Sequence, residues 1–148
     1  MFDKTHTVRI DCPVDEVFAY VAEPRNEQRY HRELVEVIRD GNGAYRIGER
    51  FQWVIKMLGA STYGMEVTGL EPERLIQLTT VEGKGRMKPV VTMTFQPDGD
   101  GTLFARRIQF EPAGFLRIAA PLLKRIPNDP NAKTAQALKR VLETQPAE

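Results

Sequence analysis

From Val35 to Glu111 apolar residues recur at every second position, the spacing of strands that bury one face and leave the other in water. Phe51, Trp53, Ile55 and Met57 share one side, with Gln52, Val54 and Lys56 on the other. Tyr63, Met65 and Val67 oppose Thr62, Gly64 and Glu66; Ile76, Leu78 and Thr80 oppose Gln77 and Thr79. Val91, Met93 and Phe95 oppose Val90, Thr92 and Thr94, and the last run puts Thr102, Phe104, Arg106, Ile108 and Phe110 together. Turn chemistry at Asp40-Gly41-Asn42-Gly43, Glu71-Pro72-Glu73, Glu82-Gly83-Lys84-Gly85 and Pro97-Asp98-Gly99-Asp100-Gly101 separates these runs, which predicts an antiparallel meander.

Ahead of the meander, Thr5 to Asp11 alternates, with Val8 and Ile10 on one side, and reads as a first strand. Pro13 suits the first position of a helix, Asp15 and Glu16 sit where its dipole favours anions, and Val14, Val17, Phe18 and Val21 line one face. Glu23-Pro24 ends that helix. A short polar helix from about Asn26 to Glu33 follows, carrying Tyr30, His31 and, just past it, Leu34.

After the meander the period changes. If Phe115 to Ile126 is helical, Leu116, Ile118, Ala119, Leu122, Leu123 and Ile126 form a broad apolar face, with Arg117, Lys124 and Arg125 to one side. Pro121 bends this piece and Ile126-Pro127 stops it. Asp129-Pro130 then restarts a helix with aspartate at N-cap and proline at N1, and Ala135, Leu138, Val141 and Leu142 make its stripe. These elements satisfy one another if the sheet curls around the closing helix and the two short helices plug one end. The expected organisation is a single domain over residues 1–144 with a loose tail over residues 145–148.

Composition narrows the function classes. In 148 residues, 21 Lys and Arg stand against 20 Asp and Glu, so the net charge of +1 offers no footprint for nucleic acid. Cys12 is the single cysteine, which excludes an internal disulfide or a cysteine-based metal cluster. The only histidines, His6 and His31, are far apart and have no acid at metal-ligand spacing, so neither a metal nor another cofactor is expected. With no long apolar run, neither a signal peptide nor a membrane span is expected, and the expectation is a soluble cytoplasmic protein, monomer or homodimer.

Several segments also resemble a known family. Val8 to Phe18 is similar to a strand ending in alanine-proline that leads into a helix with a glutamate and V-F, although Cys12 stands for the alanine. Arg29-Tyr30-His31 stands where the family carries R-W and a polar residue; Glu66 to Leu75 resembles its E-V-x-x-x-x-P-x-R-L hairpin; Asp98 to Thr102 its D-G-x-G-T turn; and Leu138 to Glu143 its closing L-K-x-x-L-E. By these motifs the chain resembles the START-like or SRPBCC superfamily, in its polyketide cyclase/dehydrase and lipid-transport-like branch. The resemblance implies an α+β helix-grip fold: a curved antiparallel sheet of about seven strands, ordered β-α-α-β6-α, around a long kinked C-terminal helix, with a cavity between them.

With that cavity implied, the inward phase supplies candidate ligand-binding residues: Tyr30 at the mouth, then Trp53, Tyr63, Met65, Leu78, Met93, Phe104, Arg106, Ile108 and Phe110, any of which can equally be core packing. Arg106 is the sharpest, because a guanidinium in an apolar phase demands a partner. That partner is a carboxylate, enolate or carbonyl of a ligand, or an internal acid. Tyr63 is the candidate hydrogen-bond donor or acid, and His31 the candidate for proton transfer, against the plain alternatives of packing and solvation. Cys12 with His31 as nucleophile and base is the weaker idea, since a helix start tolerates any small residue.

Three functions stay open: binding of a small hydrophobic or amphipathic ligand with Arg106 and Tyr63 as polar anchors; a cyclase or dehydratase in which Tyr63 or His31 moves a proton and Arg106 stabilises developing charge; and a protein-interaction module whose cavity is vestigial.

Overall fold

The computed structural model describes residues 1–56, 59–83, 88–112, 114–127 and 129–144. The expected placements of Met57, Lys84, Gly85 and the tail, and of the Phe115, Leu116 and Leu123 side chains, lie outside the described residues. The elements run β1 (Phe2–Ile10), α1 (Val14–Ala22), a 3-10 helix (Pro24–Arg29), β2 (Leu34–Ile38), β3 (Arg50–Lys56), β4 (Ala60–Glu71), β5 (Leu75–Glu82), β6 (Val90–Asp98), β7 (Gly101–Phe110), α2 (Phe115–Leu123) and α3 (Pro130–Thr144). The strands make one antiparallel sheet in the order β1-β7-β6-β5-β4-β3-β2, so the first strand flanks the last. Register shifts between Leu34 and Glu36, Gly64 and Met65, and Val67 and Gly69 add the local twist that curls it.

The side-chain phase follows the alternation. Phe51, Trp53, Met65, Val67, Ile76, Leu78, Val91, Met93, Phe95, Phe104 and Arg106 are buried on the concave face. The convex face is small and polar, where Thr68 Oγ1 meets Thr79 Oγ1 at 2.7 Å and Gln77 Nε2 donates to Thr92 Oγ1 at 3.1 Å. Between β6 and β7 only Gly99 and Asp100 form the turn, and Gly99 takes φ +62°, the positive angle such a tight connection asks for.

The closing helix comes in two pieces. Asp129 caps α3, its Oδ1 accepting from the Ala132 amide at 2.8 Å, and Pro130 is the first helical residue. Ala132, Ala135, Leu138 and Leu142 bury α3 against β1 and β7, while α1 covers β6 and β7 and the 3-10 helix lies against β2. This is the helix-grip arrangement. No helix among the described residues is long and apolar enough to cross a membrane.

Four expectations are corrected. The first strand begins at Phe2, earlier than Thr5, because β7 continues to Phe110 and offers it a partner. Pro13 is the N-cap of α1 and not its first residue. The polar helix is a 3-10 turn over Pro24–Arg29, because a segment without an apolar stripe gains nothing from a longer helix. On α2 and the turn that follows it, Ile118, Leu122 and Ile126 are exposed by 80%, 68% and 44%, and Arg117, Lys124 and Arg125 are exposed as well, with Ala120 buried. Amphipathicity showed a stripe but could not show which side α2 turns to the sheet.

Candidate functional site

The concave face carries a buried polar cluster. Its centre is Glu27, 1% exposed, which a tight 3-10 turn sets three residues before Tyr30 and four before His31 so that all three side chains converge. The Tyr30 hydroxyl donates to Glu27 Oε1 at 3.0 Å, and His31 Nδ1 lies 2.8 Å from Glu27 Oε2. Across the sheet, Arg106 Nη2 meets the same Oε2 at 3.0 Å, and both partners' side chains are 2% exposed. Asn131 on α3 donates to the Arg106 carbonyl at 3.0 Å and fixes this point of β7 beneath the helix.

Burial alone would push the Glu27 carboxyl up; the Arg106 guanidinium and the His31 ring outweigh it and hold the carboxyl down at about 2. Glu27 is therefore an acceptor only at neutral pH, and His31 must carry its hydrogen on Nδ1 to meet it. That leaves His31 Nε2 facing outward, 3.9 Å from Glu33, with the ring edge-on to Trp53 at 5.4 Å. Burial, then the Glu27 charge, raises both the Tyr30 and Tyr45 phenols, so both remain protonated donors.

Tyr45 enters from the loop between β2 and β3. Its amide donates to the Ala22 carbonyl at 2.8 Å, and its ring packs 5.4 Å from Phe51, which in turn neighbours Trp53 at 6.2 Å. Beside it Arg39 pairs with Glu49 at 2.5 Å and donates to the Gly43 carbonyl at 2.6 Å, a second internal ion pair.

Among the described residues the unmet side-chain groups of this region are mostly donors, with Asn131 Oδ1 an unmet acceptor beside the Arg106 backbone. Tyr45 Oη, Trp53 Nε1 and Arg106 Nε are buried with no hydrogen-bond partner among the described residues. Arg106 Nη1 rests on the thioether of Met93 at 3.6 Å, and Thr80 Oγ1 reaches the thioether of Met65 at 3.5 Å as well as the Pro89 carbonyl at 2.8 Å. Thioether sulfur is a weak acceptor, so it is a poor match for a guanidinium.

Of the residues singled out from sequence, the structure brings Arg106, Tyr30, His31, Trp53 and Met93 together. Tyr63 pairs in register with Trp53 but is half-buried outside the cluster, its ring so close over Gly83 that a Cβ there would fall 2.6 Å from Tyr63 Cδ1. Ile108 and Phe110 are half-buried toward the far end of β7, where Phe110 stacks on Phe2 at 4.7 Å. Leu78, Met93 and Phe104 are 0% exposed, so no water-sized void touches them and side chains occupy the expected space at that depth. A hollow of about 400 Å³ lies instead on the convex side, lined by Thr7, Glu71, Arg74, Thr94, Gln96 and Leu103 among others. Cys12 is apart from His31: its Sγ donates to the Leu142 carbonyl at 3.6 Å, and burial followed by the Glu16, Glu143 and Asp11 charges pushes the thiol up, away from a nucleophile.

Sequence reasoning passed over Glu27 and Tyr45. The signal for Glu27 was its spacing to Tyr30 and His31 in a segment with no other reason to be ordered. Tyr45 lies in a loop with no phase to read.

The fold has many solved counterparts. The chain is similar to TTHA0849 from Thermus thermophilus, with 16% identity, a TM-score of 0.76, and 95% and 96% of the two chains covered. A START superfamily protein from Mycobacterium smegmatis matches at 15% identity and a TM-score of 0.70, over 95% of this chain and 97% of that one. DynU16, a protein from the dynemicin biosynthetic locus, matches at 17% identity and a TM-score of 0.68, over 97% of this chain and 48% of its own. No curated protein matches the chain in sequence. The family model described as "Polyketide cyclase / dehydrase and lipid transport" spans residues 1–143, and the chain belongs to that family.

Proposed function

We propose that the chain binds a small hydrophobic or amphipathic molecule against the concave face of its sheet, with Arg106, Tyr45 and Trp53 as polar anchors. The observation that carries this reading is the set of buried donors without acceptors. Each such group costs roughly 1–3 kcal/mol while unpaired, and a guest that brings oxygen atoms recovers that cost. Met65, Leu78, Met93 and Phe104 offer an apolar surround, and methionines repack readily around a guest. Tyr63, Ile108 and Phe110, half-buried toward the far ends of their strands, would take the guest's outer part, and Tyr30 holds the cluster from below. The family's description, which names cyclases, dehydrases and lipid transport, is in keeping with a guest of this kind.

The test is native mass spectrometry of freshly purified protein, combined with NMR of its one indole N–H, that of Trp53. A co-purifying small molecule whose removal shifts the Trp53 indole signal is the expected result. Protein that is always empty, and whose indole signal no hydrophobic probe moves, would oppose it. The close packing at Leu78, Met93 and Phe104 would then favour the interaction module.

A second reading, the cyclase- or dehydratase-like enzyme, is favoured by the Glu27–His31 contact, because a carboxylate that fixes the Nδ1–H tautomer leaves Nε2 as a proton acceptor. Product formed from a candidate substrate, and lost in His31→Gln, would separate catalysis from binding alone.

A further inference from the structure

We propose that the buried end of the ligand is an uncharged carbonyl oxygen and not a carboxylate, because the cluster is already charge-balanced and the unmet groups around the Glu27–Arg106 pair, Arg106 Nε, Tyr45 Oη and Trp53 Nε1, can all donate. This rests on the ligand-binding reading and adds to it the chemical class of the anchored group.

Arg106 is the natural place for an anionic guest, but its charge is spent. Glu27 lies 3.0 Å from Nη2, and Tyr30 and His31 both turn to that same carboxylate. The neighbouring cation, Arg39, is matched by Glu49 at 2.5 Å, and the outward side of His31 faces Glu33 at 3.9 Å. A carboxylate entering beside Arg106 would bring a second anion next to the buried Glu27, where like charges repel strongly. What remains is directional and uncharged in its demand: Arg106 Nε–H, the Tyr45 hydroxyl and the Trp53 indole N–H, with Arg106 Nη1 resting on the Met93 thioether. A ketone or ester carbonyl accepts two such bonds and adds no charge and no new donor to satisfy. Met93, unbranched and soft, is the side chain whose displacement would let that oxygen reach Arg106.

Three probes of one skeleton separate the chemistries: acetophenone, benzoate and ethylbenzene, titrated into the full chain at pH 7.5 while the Trp53 indole resonance is followed. Acetophenone is expected to bind about tenfold more tightly than benzoate and to move the indole proton downfield, as an accepted hydrogen bond does. In Glu27→Gln the order reverses, benzoate gaining about tenfold or more, because the guest's charge then replaces the one removed from Arg106. Should that variant fail to fold, Tyr45→Phe, which removes only a hydroxyl with no partner among the described residues, is expected to weaken acetophenone about fivefold and leave ethylbenzene unchanged. Benzoate binding as tightly as acetophenone to the unmodified chain, or an unchanged order in Glu27→Gln, overturns the assignment. Ethylbenzene binding as well as acetophenone with no indole shift also overturns it and leaves the binding reading standing. Binding of none of the three removes both.

Discussion

Replacing Arg106 by Met keeps an unbranched apolar stem, shorter by the end of the guanidinium, and removes the charge that faces Glu27. The carboxyl, ordinarily near 4.5, is held at about 2 in the folded chain, and that difference corresponds to about 3 kcal/mol of stability. Breaking a buried pair by deleting one partner costs roughly 3–5 kcal/mol, and both partners here are almost inaccessible, so no discount for solvent applies. Arg106→Met is therefore expected to lose about 3 kcal/mol at pH 7, a large part of the 5–15 kcal/mol typical of a domain. The sign of the pH dependence follows from the direction of the shift. Because the folded carboxyl titrates below the unfolded one, its contribution is complete above about 4.5 and drains as pH falls toward 2; by pH 3 about 2 of the 3 kcal/mol has gone. In the variant burial pushes the Glu27 carboxyl upward, so that drain disappears and the gap between the two proteins narrows in acid.

Urea unfolding followed by circular dichroism and by Trp53 emission, at pH 7 and pH 3, measures both quantities. The double variant Glu27→Gln with Arg106→Met is expected to be less damaged than the sum of the single changes by about 2 kcal/mol, since neither side then carries an unpaired charge. An Arg106→Met protein within 1 kcal/mol of the original at pH 7, or a gap of the same size at pH 3, would refute the pairing and everything built upon it.

Other perturbations probe separate parts of the structure. Tyr45→Phe removes a buried hydroxyl with no partner among the described residues and is expected to raise the stability of the protein without ligand by about 1 kcal/mol in the same urea assay; a loss of that size would mean the hydroxyl is bonded in solution. Asp129→Ala removes the α3 cap and the 2.7 Å contact with Lys4, and about 1–2 kcal/mol should go with it, with amide exchange accelerated in the first turn of α3 and unchanged at Leu138. Ile118→Ser with Leu122→Ser should alter stability by no more than about 0.5 kcal/mol, since both side chains are exposed; a loss above 2 kcal/mol would show that this side of α2 is packed after all.

How much could be read from residues alone depended on whether a segment carried a period. β3, β5 and β7 did, and Phe51 with Trp53, Ile76 with Leu78, and Phe104 with Arg106 all lie on the face their spacing assigned. Arg106 was conspicuous for the same reason, a cation in an apolar phase. Its partner could not be found that way, because ion pairing across a fold depends on which distant segment crosses that face. Glu27 looked like one more acid in Pro24-Arg25-Asn26-Glu27-Gln28-Arg29 until the turn placed it under β7. α3 was legible from Asp129-Pro130, which is local chemistry, whereas the facing of α2 was not, because an amphipathic stripe specifies a direction without specifying a surface.

The polar groups of the cluster come from an uneven part of the chain. Glu27, Tyr30 and His31 belong to the short segment after α1, Tyr45 and Trp53 to the loop and strand that follow, and only Arg106 to the far side of the sheet. α3, the long closing helix, contributes no side chain to Glu27; its Asn131 secures the Arg106 backbone and its apolar face seals β1 and β7. Closure and the buried polar cluster are thus held by different elements. A buried ion pair is weak evidence for stability, since apolar residues of the same volume often serve as well. The Glu27–Arg106 pair is better understood through what it leaves behind: a charge-balanced interior in which Arg106 Nε, Tyr45 Oη and Trp53 Nε1 are buried with no partner among the described residues. Making that remainder cationic requires one residue, Glu27, in the short turn that lies against β2, and that is why Glu27→Gln is the substitution with the most to say about the proposed carbonyl anchor.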